Sequence, residues 1–312
     1  MAAYEPPSRR KEKALVSGSN GFLGKYLCKA LVQEGFEVIG YDRNEGKDIT
    51  DFETLKKSLD NVDYVFHLAA ELDEKGKDLK KINVDGTKNI LEASAKQRVK
   101  KFIFLSTTGV LGNFKGCADE GLAYNPATPY EKSKAEAEKL VLAYQEAVPV
   151  VIVRPAMVLG PNSYWKEIIA MIEKRYPILG DGKNSFQTVY IKNLVEALMI
   201  VFKRGEIGEV YISADNEVPS LEELYNKISK GLGIEEKPKK ANALLAKALA
   251  PLLGKGIVSS EHIERLTRNR CYNNSKLKKL GFVQRYPLDY AVKDVVAEIK
   301  RQGAANDEKK DA

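Results

Sequence analysis

The chain has 312 residues, of which 44% are apolar and 30% are charged, and this composition supports a sizeable buried core rather than a disordered chain. The net charge of +7 comes from 50 basic and 43 acidic residues spread along the chain. No nucleic-acid-binding motif accompanies this excess. It indicates either a solvated basic surface or one that attracts an anionic cofactor or, peripherally, an acidic membrane.

The few cysteines and histidines exclude two structural classes. Three cysteines at wide spacing and two histidines predict neither a disulfide framework nor a zinc site, and they favour a reducing, cytoplasmic location. No apolar run reaches the roughly 18 residues of a transmembrane helix. The polar ends at 1–12 and 304–312 are predicted to be disordered.

Short apolar runs alternate with helical stretches through the first half of the chain. Strands are predicted at 14–17, 37–42, 64–68, 102–106 and 150–153, and helices at 22–34, 52–59, 79–97 and 131–147. Apolar strands separated by helices predict an α/β fold, a Rossmann doubly wound parallel sheet over residues 13–155. Residues 156–303 are predicted to form a smaller, mostly helical C-terminal substrate lobe. This lobe has short strands at 188–191 and 210–212, and later segments are expected to return to the Rossmann domain.

A glycine-rich loop follows the first strand. Gly18 permits a sharp turn, Gly21 lets the backbone approach a pyrophosphate, and Gly24 lets the next helix lie close to the strand. The N–H groups that open this helix then face the phosphates. The residues predicted to form this cofactor loop are Gly18, Asn20, Gly21, Phe22, Leu23 and Gly24.

Acidic and basic residues after the second strand bear on the choice of dinucleotide. Asp42 is placed to accept hydrogen bonds from the adenosine ribose hydroxyls, which favours NAD. Arg43 can instead pair with a 2′-phosphate, so NADP stays open. Asp48 and Ile49 are predicted to hold the adenine edge, the alternative being a plain helix N-cap region.

A tyrosine and a lysine share one face of a predicted helix. Tyr130 and Lys134 are four residues apart, hence neighbours on a helix. A phenol with its ordinary pKa of about 10 is a poor base at neutral pH, but a nearby ammonium and a positive nicotinamide ring favour the phenolate. Ser106, Thr107 and Thr108 end the fourth strand, and one of their hydroxyls is expected to bond a substrate oxygen, the alternative being that they cap a helix or a turn. Ser106 is also assigned to the cofactor site.

These segments together resemble the extended short-chain dehydrogenase/reductase family, also described as NAD-dependent epimerases and dehydratases. The resemblance covers residues from about 13 to 303. It rests on six motifs in order, at 18–24, 66–70, 83–87, 105–112, 130–134 and 154–161.

The resemblance implies roles for individual residues. Tyr130 would be the general acid or base, Lys134 would contact the nicotinamide ribose, and Thr107 would be the third catalytic member. Asn83 would support the sheet and the active site. Residues implied to line the cofactor path and the nicotinamide are Leu68, Ala69, Ala70, Pro155, Met157 and Val158. A homodimer formed through helices 79–97 and 131–147 is also implied.

The subfamily resemblance concerns the substrate. Segments 125–138 and 270–282 resemble the 3β-hydroxysteroid dehydrogenase and dihydroflavonol reductase group. Nucleotide-sugar epimerases commonly carry an arginine where this chain has Phe186, and an acidic pair where it has Lys192 and Asn193. The apolar stretch 241–253 is interpreted as a core helix of the smaller lobe. The alternative is a wall or lid for an apolar substrate, in which case the stretch itself touches a membrane surface.

The sequence therefore predicts an NAD(P)-dependent oxidoreductase that interconverts a secondary alcohol and a ketone on a fairly apolar, sterol- or flavonoid-like small molecule. One alternative is a nucleotide-sugar 4-epimerase or dehydratase that uses the same three residues. Another is a non-catalytic sensor that binds NAD(P).

Overall fold

The fold is taken from a computed structural model that describes residues 10–74, 76–242 and 266–308. The chain divides into two compact units. The first contains residues up to Ser106 together with Thr128–Val153 and Phe202–Val210; the second contains Thr107–Ala127, Arg154–Val201 and the residues from Tyr211 onward. The apolar stretch 241–253 lies almost wholly outside the described residues, as do residues 1–9 and 309–312 at the ends.

Six strands form one sheet in the order β2-β1-β3-β4-β5-β9. They are β1 (Lys13–Ser17), β2 (Glu37–Tyr41), β3 (Tyr64–His67), β4 (Lys101–Leu105), β5 (Val150–Pro155) and β9 (Val210–Ser213). The pairs among β1 to β5 are all parallel. The predicted doubly wound α/β fold is confirmed, and β9 joins the sheet beside β5 as a later segment.

The sheet register aligns the ends of the strands that the sequence associates with chemistry. Ser17 pairs with His67, and His67 pairs with Phe104 on the next strand. The glycine loop, the residues after His67 and the residues after β4 therefore leave the sheet at one edge. In open α/β sheets, ligands bind outside this carboxyl edge.

Helices connect these strands. They are α1 (Phe22–Gln33), α2 (Phe52–Ser58), α3 (Gly86–Gln97) and α4 (Pro129–Ala143). A π-helical turn at Lys81–Asp85 precedes α3, where the sequence predicts one continuous helix from 79. A buried apolar cluster joins α2, α3 and α4 to the sheet, with members such as Leu55, Ile90, Phe104 and Val141.

The later part of the chain is richer in helix, as predicted. It contains β6 (Met157–Leu159), α5 (Ser163–Glu173), β7 (Ile178–Leu179), β8 (Thr188–Tyr190), α6 (Ile191–Arg204), α7 (Leu221–Leu232), β10 (Lys240–Ala241), α8 (Ser275–Lys279) and α9 (Leu288–Glu308). Two small parallel pairs, β6 with β8 and β7 with β10, lie outside the large sheet. Helix α7 begins at a capping box in which Ser220 and Glu223 bond each other's backbone N–H groups.

The ends of the described chain are more ordered than the sequence predicts. Arg10 pairs with the carboxylate of Asp63 at 2.9 Å, and Lys100 bonds Glu12 at 2.8 Å. Helix α9 continues to Glu308, into the segment predicted to be disordered from residue 304. No helix among the described residues is both long and apolar enough to cross a membrane.

The sequence predicts no disulfide framework, and for one pair of cysteines this prediction is wrong. Cys117 and Cys271 are bonded in the second unit, with Cα atoms 4.4 Å apart, although 154 positions separate them in sequence. Backbone pairing brings the two segments together, because Ala118 donates to the Cys271 carbonyl at 2.9 Å and Asn273 donates to the Ala118 carbonyl at 2.8 Å. A reducing, cytoplasmic location therefore stays a prediction that the cysteines no longer support.

Candidate active site

The glycine loop between β1 and α1 has no room for side chains. Gly18 adopts φ +73°, and a Cβ there would lie 2.9 Å from the backbone nitrogen of Ala69. At Gly24, a Cβ would collide with the carbonyl oxygens of Gly18 and Ser19. Glycine is therefore required for the turn and for the close approach of α1 to the loop.

The start of α1 has no side-chain cap. Gly21 occupies the N-cap position and supplies no side-chain hydrogen bond to the first turn of the helix. The N–H groups of that turn are the donors that a helix offers to an anion, and the helix dipole adds a favourable potential. This bare helix start, with the glycine cradle before it, fits the pyrophosphate of a dinucleotide.

Asp42 ties the loop to the end of β2. The residue is only 8% exposed, and its carboxylate accepts the N–H groups of Asn20 and Asn44, each at 3.0 Å. A carboxylate has about four lone-pair sites, so two bonds leave capacity for ribose hydroxyls. The predicted role of Asp42 is compatible with this geometry.

Arg43 has a carboxylate partner that the sequence does not reveal. Its guanidinium forms an ion pair with Glu71 at 3.1 Å. A 2′-phosphate would have to compete with Glu71 for that guanidinium and would meet the negative charge of Asp42 close by. This arrangement favours a ribose without the phosphate.

Asp48 caps the backbone of a turn, and Ile49 packs in the apolar core. Asp48 accepts the N–H and the hydroxyl of Thr50, both at 2.8 Å, as a capping residue does. Ile49 is 5% exposed within the apolar cluster, and a Cβ on Gly86 would lie 2.6 Å from its side chain. Contact with adenine stays a prediction for this pair.

Helix α4 begins at a strong start signal. Thr128 and Glu131 form a capping box, and Pro129 occupies the first helical position. The helix therefore begins at Pro129, two residues before the predicted start at 131, and includes Tyr130 in its first turn. Tyr130 is half-buried in the first unit, and Lys134 follows one turn later.

Lys134 is buried deeply for an ammonium group. The residue is 2% exposed, and its Nζ lies 4.1 Å from the centre of the Phe104 ring. Burial lowers the pKa of Lys134 to about 7, while the charge of Glu138 acts to raise it. A developing negative charge on Tyr130 would stabilise the ammonium, and the ammonium would stabilise the phenolate.

Ser106 and Thr107 follow β4 and have different hydrogen-bond partners. Ser106 donates to the carboxylate of Glu138 at 3.1 Å, and both residues are buried. Thr107 is the first residue of the second unit, where its hydroxyl accepts the N–H of Gly109 at 3.0 Å and caps a 3₁₀ turn, Thr108–Leu111. The Thr107 proton therefore remains for donation.

Asn83 connects several parts of the first unit. It is 1% exposed; its Oδ1 accepts the N–H of Glu71 at 2.7 Å, and its Nδ2 donates to the Glu71 carbonyl at 3.0 Å and to Ser133 at 2.9 Å. The loop that follows β3, with the half-buried Leu68, Ala69 and Ala70, is thus fixed at its far end. This supports the implied role of Asn83 as a structural support.

The second unit contains the remaining predicted residues. Pro155 is buried, and Met157 and Val158 are half-buried at the start of β6. Phe186, at the position where an arginine is common in nucleotide-sugar epimerases, is itself covered by a guanidinium. The Arg270 guanidinium carbon lies 5.2 Å from the centre of the Phe186 ring, and the two residues form a β-bridge.

Sequence reasoning missed several buried polar residues of the first unit. They are His67, Thr87, Ser133 and Glu138. Glu138 alone had an available signal, since it lies four positions after Lys134 and therefore on the same helical face. The others contact distant segments across 20 to 50 positions, and no local pattern indicates such pairs.

Comparison with known proteins identifies the family. The model of the NAD dependent epimerase/dehydratase family matches residues 14–213, about two thirds of the chain. The chain belongs to this family. The predicted family resemblance is therefore confirmed, and the chain is an extended short-chain dehydrogenase/reductase.

Relatives differ in the chemistry they perform. The chain is similar to a dTDP-D-glucose 4,6-dehydratase of Dictyostelium discoideum, with 31% identity over 68% of this chain and 60% of that one. It therefore spans less than two thirds of that protein. It is also similar to a 2-alkyl-3-oxoalkanoate reductase of Stenotrophomonas maltophilia, with 27% identity over 71% of this chain and 76% of that one.

Solved structures share the fold. A UDP-glucuronic acid 4-epimerase from Bacillus cereus in complex with NAD has a TM-score of 0.77 and 24% identity, over 93% of this chain and 99% of that one. The likeness extends through the second unit as well as the first. At this identity it shows the fold alone, and the resemblance to the 3β-hydroxysteroid dehydrogenase group stays a prediction.

Proposed function

We propose that the protein is an NAD-dependent oxidoreductase that interconverts a secondary alcohol and a ketone, with Tyr130 donating or accepting the proton. The observation that carries the proposal is the buried ammonium of Lys134 one helical turn from the half-buried Tyr130. A lysine that serves only stability is rarely buried this way, because the desolvation of its charge is unfavourable. Perturbed lysines of this kind are concentrated in functional sites.

NAD, when bound, supplies the hydride acceptor or donor for the reaction. The glycine loop would hold its pyrophosphate at the start of α1, and Asp42 would bind the adenosine ribose. Oxidation of the alcohol releases one proton and one hydride. The phenolate oxygen of Tyr130 accepts the proton from the substrate hydroxyl, and Lys134 keeps that oxygen poised.

A fairly apolar ketone or alcohol is the first candidate substrate. The similarity to a 2-alkyl-3-oxoalkanoate reductase over 71% of the chain supports it. So does the apolar Phe186 at a position where sugar-nucleotide enzymes commonly carry an arginine.

A nucleotide sugar is the second candidate, and one observation favours it. Arg268 and Arg270 are 6% and 7% exposed in the second unit, and Arg270 lies over Phe186. Buried guanidinium groups suit a diphosphate, which they can bind through paired hydrogen bonds. In this arrangement Arg270 would replace, from another segment, the arginine that position 186 lacks.

Two measurements test the proposed function. Calorimetric titration with NAD and with NADP should show binding of NAD, with NADP weaker. Turnover should then be followed with 3-oxoacyl and steroid ketones plus NADH, and with UDP- and dTDP-glucose. Oxidation of NADH supports the first candidate, and sugar epimerisation without net NADH change supports the second. Absence of NAD binding would contradict both.

A further inference from the structure

A row of buried hydrogen bonds runs through the first unit from the glycine loop to the first turn of α4. Its side chains belong to Ser17, His67, Thr87, Asn83 and Ser133, and each of these residues is no more than 5% exposed. The contacts are Ser17 Oγ to His67 Nδ1 at 2.6 Å, His67 Nε2 to Thr87 Oγ1 at 2.9 Å, Thr87 Oγ1 to the Asn83 carbonyl at 2.6 Å, Asn83 Nδ2 to Ser133 Oγ at 2.9 Å, and Ser133 Oγ to the Tyr130 carbonyl at 2.8 Å.

The direction of each bond follows from the number of protons available. The single hydroxyl proton of Thr87 is donated to the Asn83 carbonyl, so Thr87 must accept from His67. His67 therefore carries its proton on Nε2. Its Nδ1 is then an acceptor, and Ser17 must donate to it.

Two further observations agree with this direction. Ser17 Oγ lies 3.2 Å from the backbone nitrogens of both Leu68 and Ala69, which donate to it. At the other end, the Ser133 hydroxyl donates to a carbonyl and is therefore free to accept from the amide of Asn83. One arrangement of protons satisfies the whole row, and every bond is donated in the direction from Ser17 to Tyr130. At Asn83 the link is covalent, because the row reaches its backbone carbonyl and continues from its side-chain amide.

His67 stays neutral in this environment. Complete burial, together with the charge of Lys134, lowers its pKa to about 3. An imidazolium would carry protons on both nitrogens and would break the bond from Ser17. The row therefore keeps one arrangement throughout the physiological pH range.

The two ends of the row are elements of the candidate site. Ser17 immediately precedes Gly18, whose turn packs against the backbone of Ala69. Tyr130, whose carbonyl ends the row, is the proposed acid or base. A shift of about 1 Å between cofactor and catalytic group can lower a rate about 100-fold, so their spacing requires a rigid support.

We propose that His67 and Thr87 are positioning residues, which fix the Tyr130 peptide relative to the glycine loop through this chain of directed hydrogen bonds. The inference rests on the proposed function, because it concerns where Tyr130 stands relative to bound NAD. It assigns a role to His67 of the 66–70 motif and to Thr87 of the 83–87 motif. Both side chains are buried and polar, and neither is assigned to the proton transfer itself.

The direction of the chain can be tested without any substrate. The protein has two histidines, so a His262→Gln variant leaves His67 as the single source of imidazole ¹⁵N signals. We expect an unprotonated Nδ1 and a protonated Nε2 that do not titrate between pH 5 and 9. A protonated Nδ1, or titration near the ordinary pKa of histidine, would overturn the proposal.

The positioning role is tested with a matched set of variants on α3. Thr87→Val removes the hydroxyl at nearly constant volume, Thr87→Ser keeps it, and Ile90→Val perturbs the packing of the same helix inside the apolar cluster. The measurements are kcat and KM for NAD and for substrate, with the melting temperature of each variant. Thr87→Val should lower kcat roughly 10- to 100-fold, Thr87→Ser should recover most of it, and Ile90→Val should leave kcat within about twofold.

The outcomes separate this inference from the proposed function. If the wild type turns over with NAD and Thr87→Val loses stability but no kcat, the role is structural only and the inference is wrong. If the wild type binds no NAD, the proposed function fails, and the positioning role fails with it. The ¹⁵N spectrum then still decides whether the directed chain exists.

Discussion

Ser106 donates a hydrogen bond of 3.1 Å to the carboxylate of Glu138, which is fully buried four positions after Lys134 on helix α4. The charge of Glu138 acts to raise the pKa of Lys134 against the effect of burial, which lowers it. Tyr130, Lys134 and Glu138 follow one another at intervals of one helical turn. The three residues therefore lie along one face of α4, with Lys134 between Tyr130 and Glu138.

Glu138→Gln should shift the pH dependence of turnover. Without the carboxylate charge the pKa of Lys134 falls further, so the ammonium is lost at lower pH. The alkaline limb of kcat/KM should therefore move to lower pH by about one unit, a tenfold effect on the protonated fraction. Glu136→Gln, at an exposed position of the same helix, is the control and should leave the profile unchanged.

Lys134→Met should change how stability depends on pH. The pKa of this lysine is lowered from 10.5 to about 7 in the folded state, so the unfolded chain binds more protons between these values. Wild-type stability should then rise with pH across this window through Lys134. The stability gained by Lys134→Met should be largest near pH 7 and shrink towards pH 10.5 in urea titrations. An advantage that stays constant with pH, or one that the exposed variant Lys132→Met reproduces, would contradict the burial of the charge.

Glu71→Gln should make NADP a better cofactor. The change frees the Arg43 guanidinium, which pairs with Glu71 at 3.1 Å, for a 2′-phosphate. Because exposed ion pairs contribute at most about 1 kcal/mol, the ratio of the Kd values for NADP and NAD should fall about threefold to fivefold. Glu53→Gln makes the same charge change on α2 and should leave the ratio as it is; an equal shift there would show a general electrostatic effect.

Reduction of the Cys117–Cys271 disulfide should destabilise the protein. The bond closes a loop of 154 positions, and a long loop corresponds to about 2–5 kcal/mol. Dithiothreitol should lower the melting temperature of the wild type and of Cys28→Ser by several degrees. Cys117→Ser should melt at the lower temperature with or without reductant. Equal melting of wild type and Cys117→Ser under oxidising conditions would show that the bond does not form.

Local patterns were sufficient to predict the sheet and its loop. The β-branched runs, the three glycines and the helical spacing of Tyr130 and Lys134 each depend on residues close in sequence. Even there, the observed helix boundaries differ from the predicted ones. Helix α4 begins earlier because of its capping box, and a π-helical turn interrupts the helix predicted from residue 79. Such details depend on hydrogen bonds, which apolar periodicity does not report.

Contacts between distant segments could not be predicted. Cys117 meets Cys271 because Ala118 and Tyr272 form a β-bridge, and neither segment has a strand pattern long enough to indicate it. The same holds for His67, whose partners Ser17 and Thr87 lie 50 and 20 positions away. The pairing of Arg43 with Glu71 also depends on the fold, because the loop after β3 must first return to the end of β2.

The most direct measurement compares Tyr130→Phe with the wild type in NAD affinity and in single-turnover rate on the best substrate. Loss of the phenolic oxygen removes the proposed proton acceptor but leaves the glycine loop and Asp42 in place. The rate should fall by about 10²- to 10⁴-fold while the Kd for NAD changes less than about threefold. A variant that keeps the wild-type rate would show that the proton moves through another group.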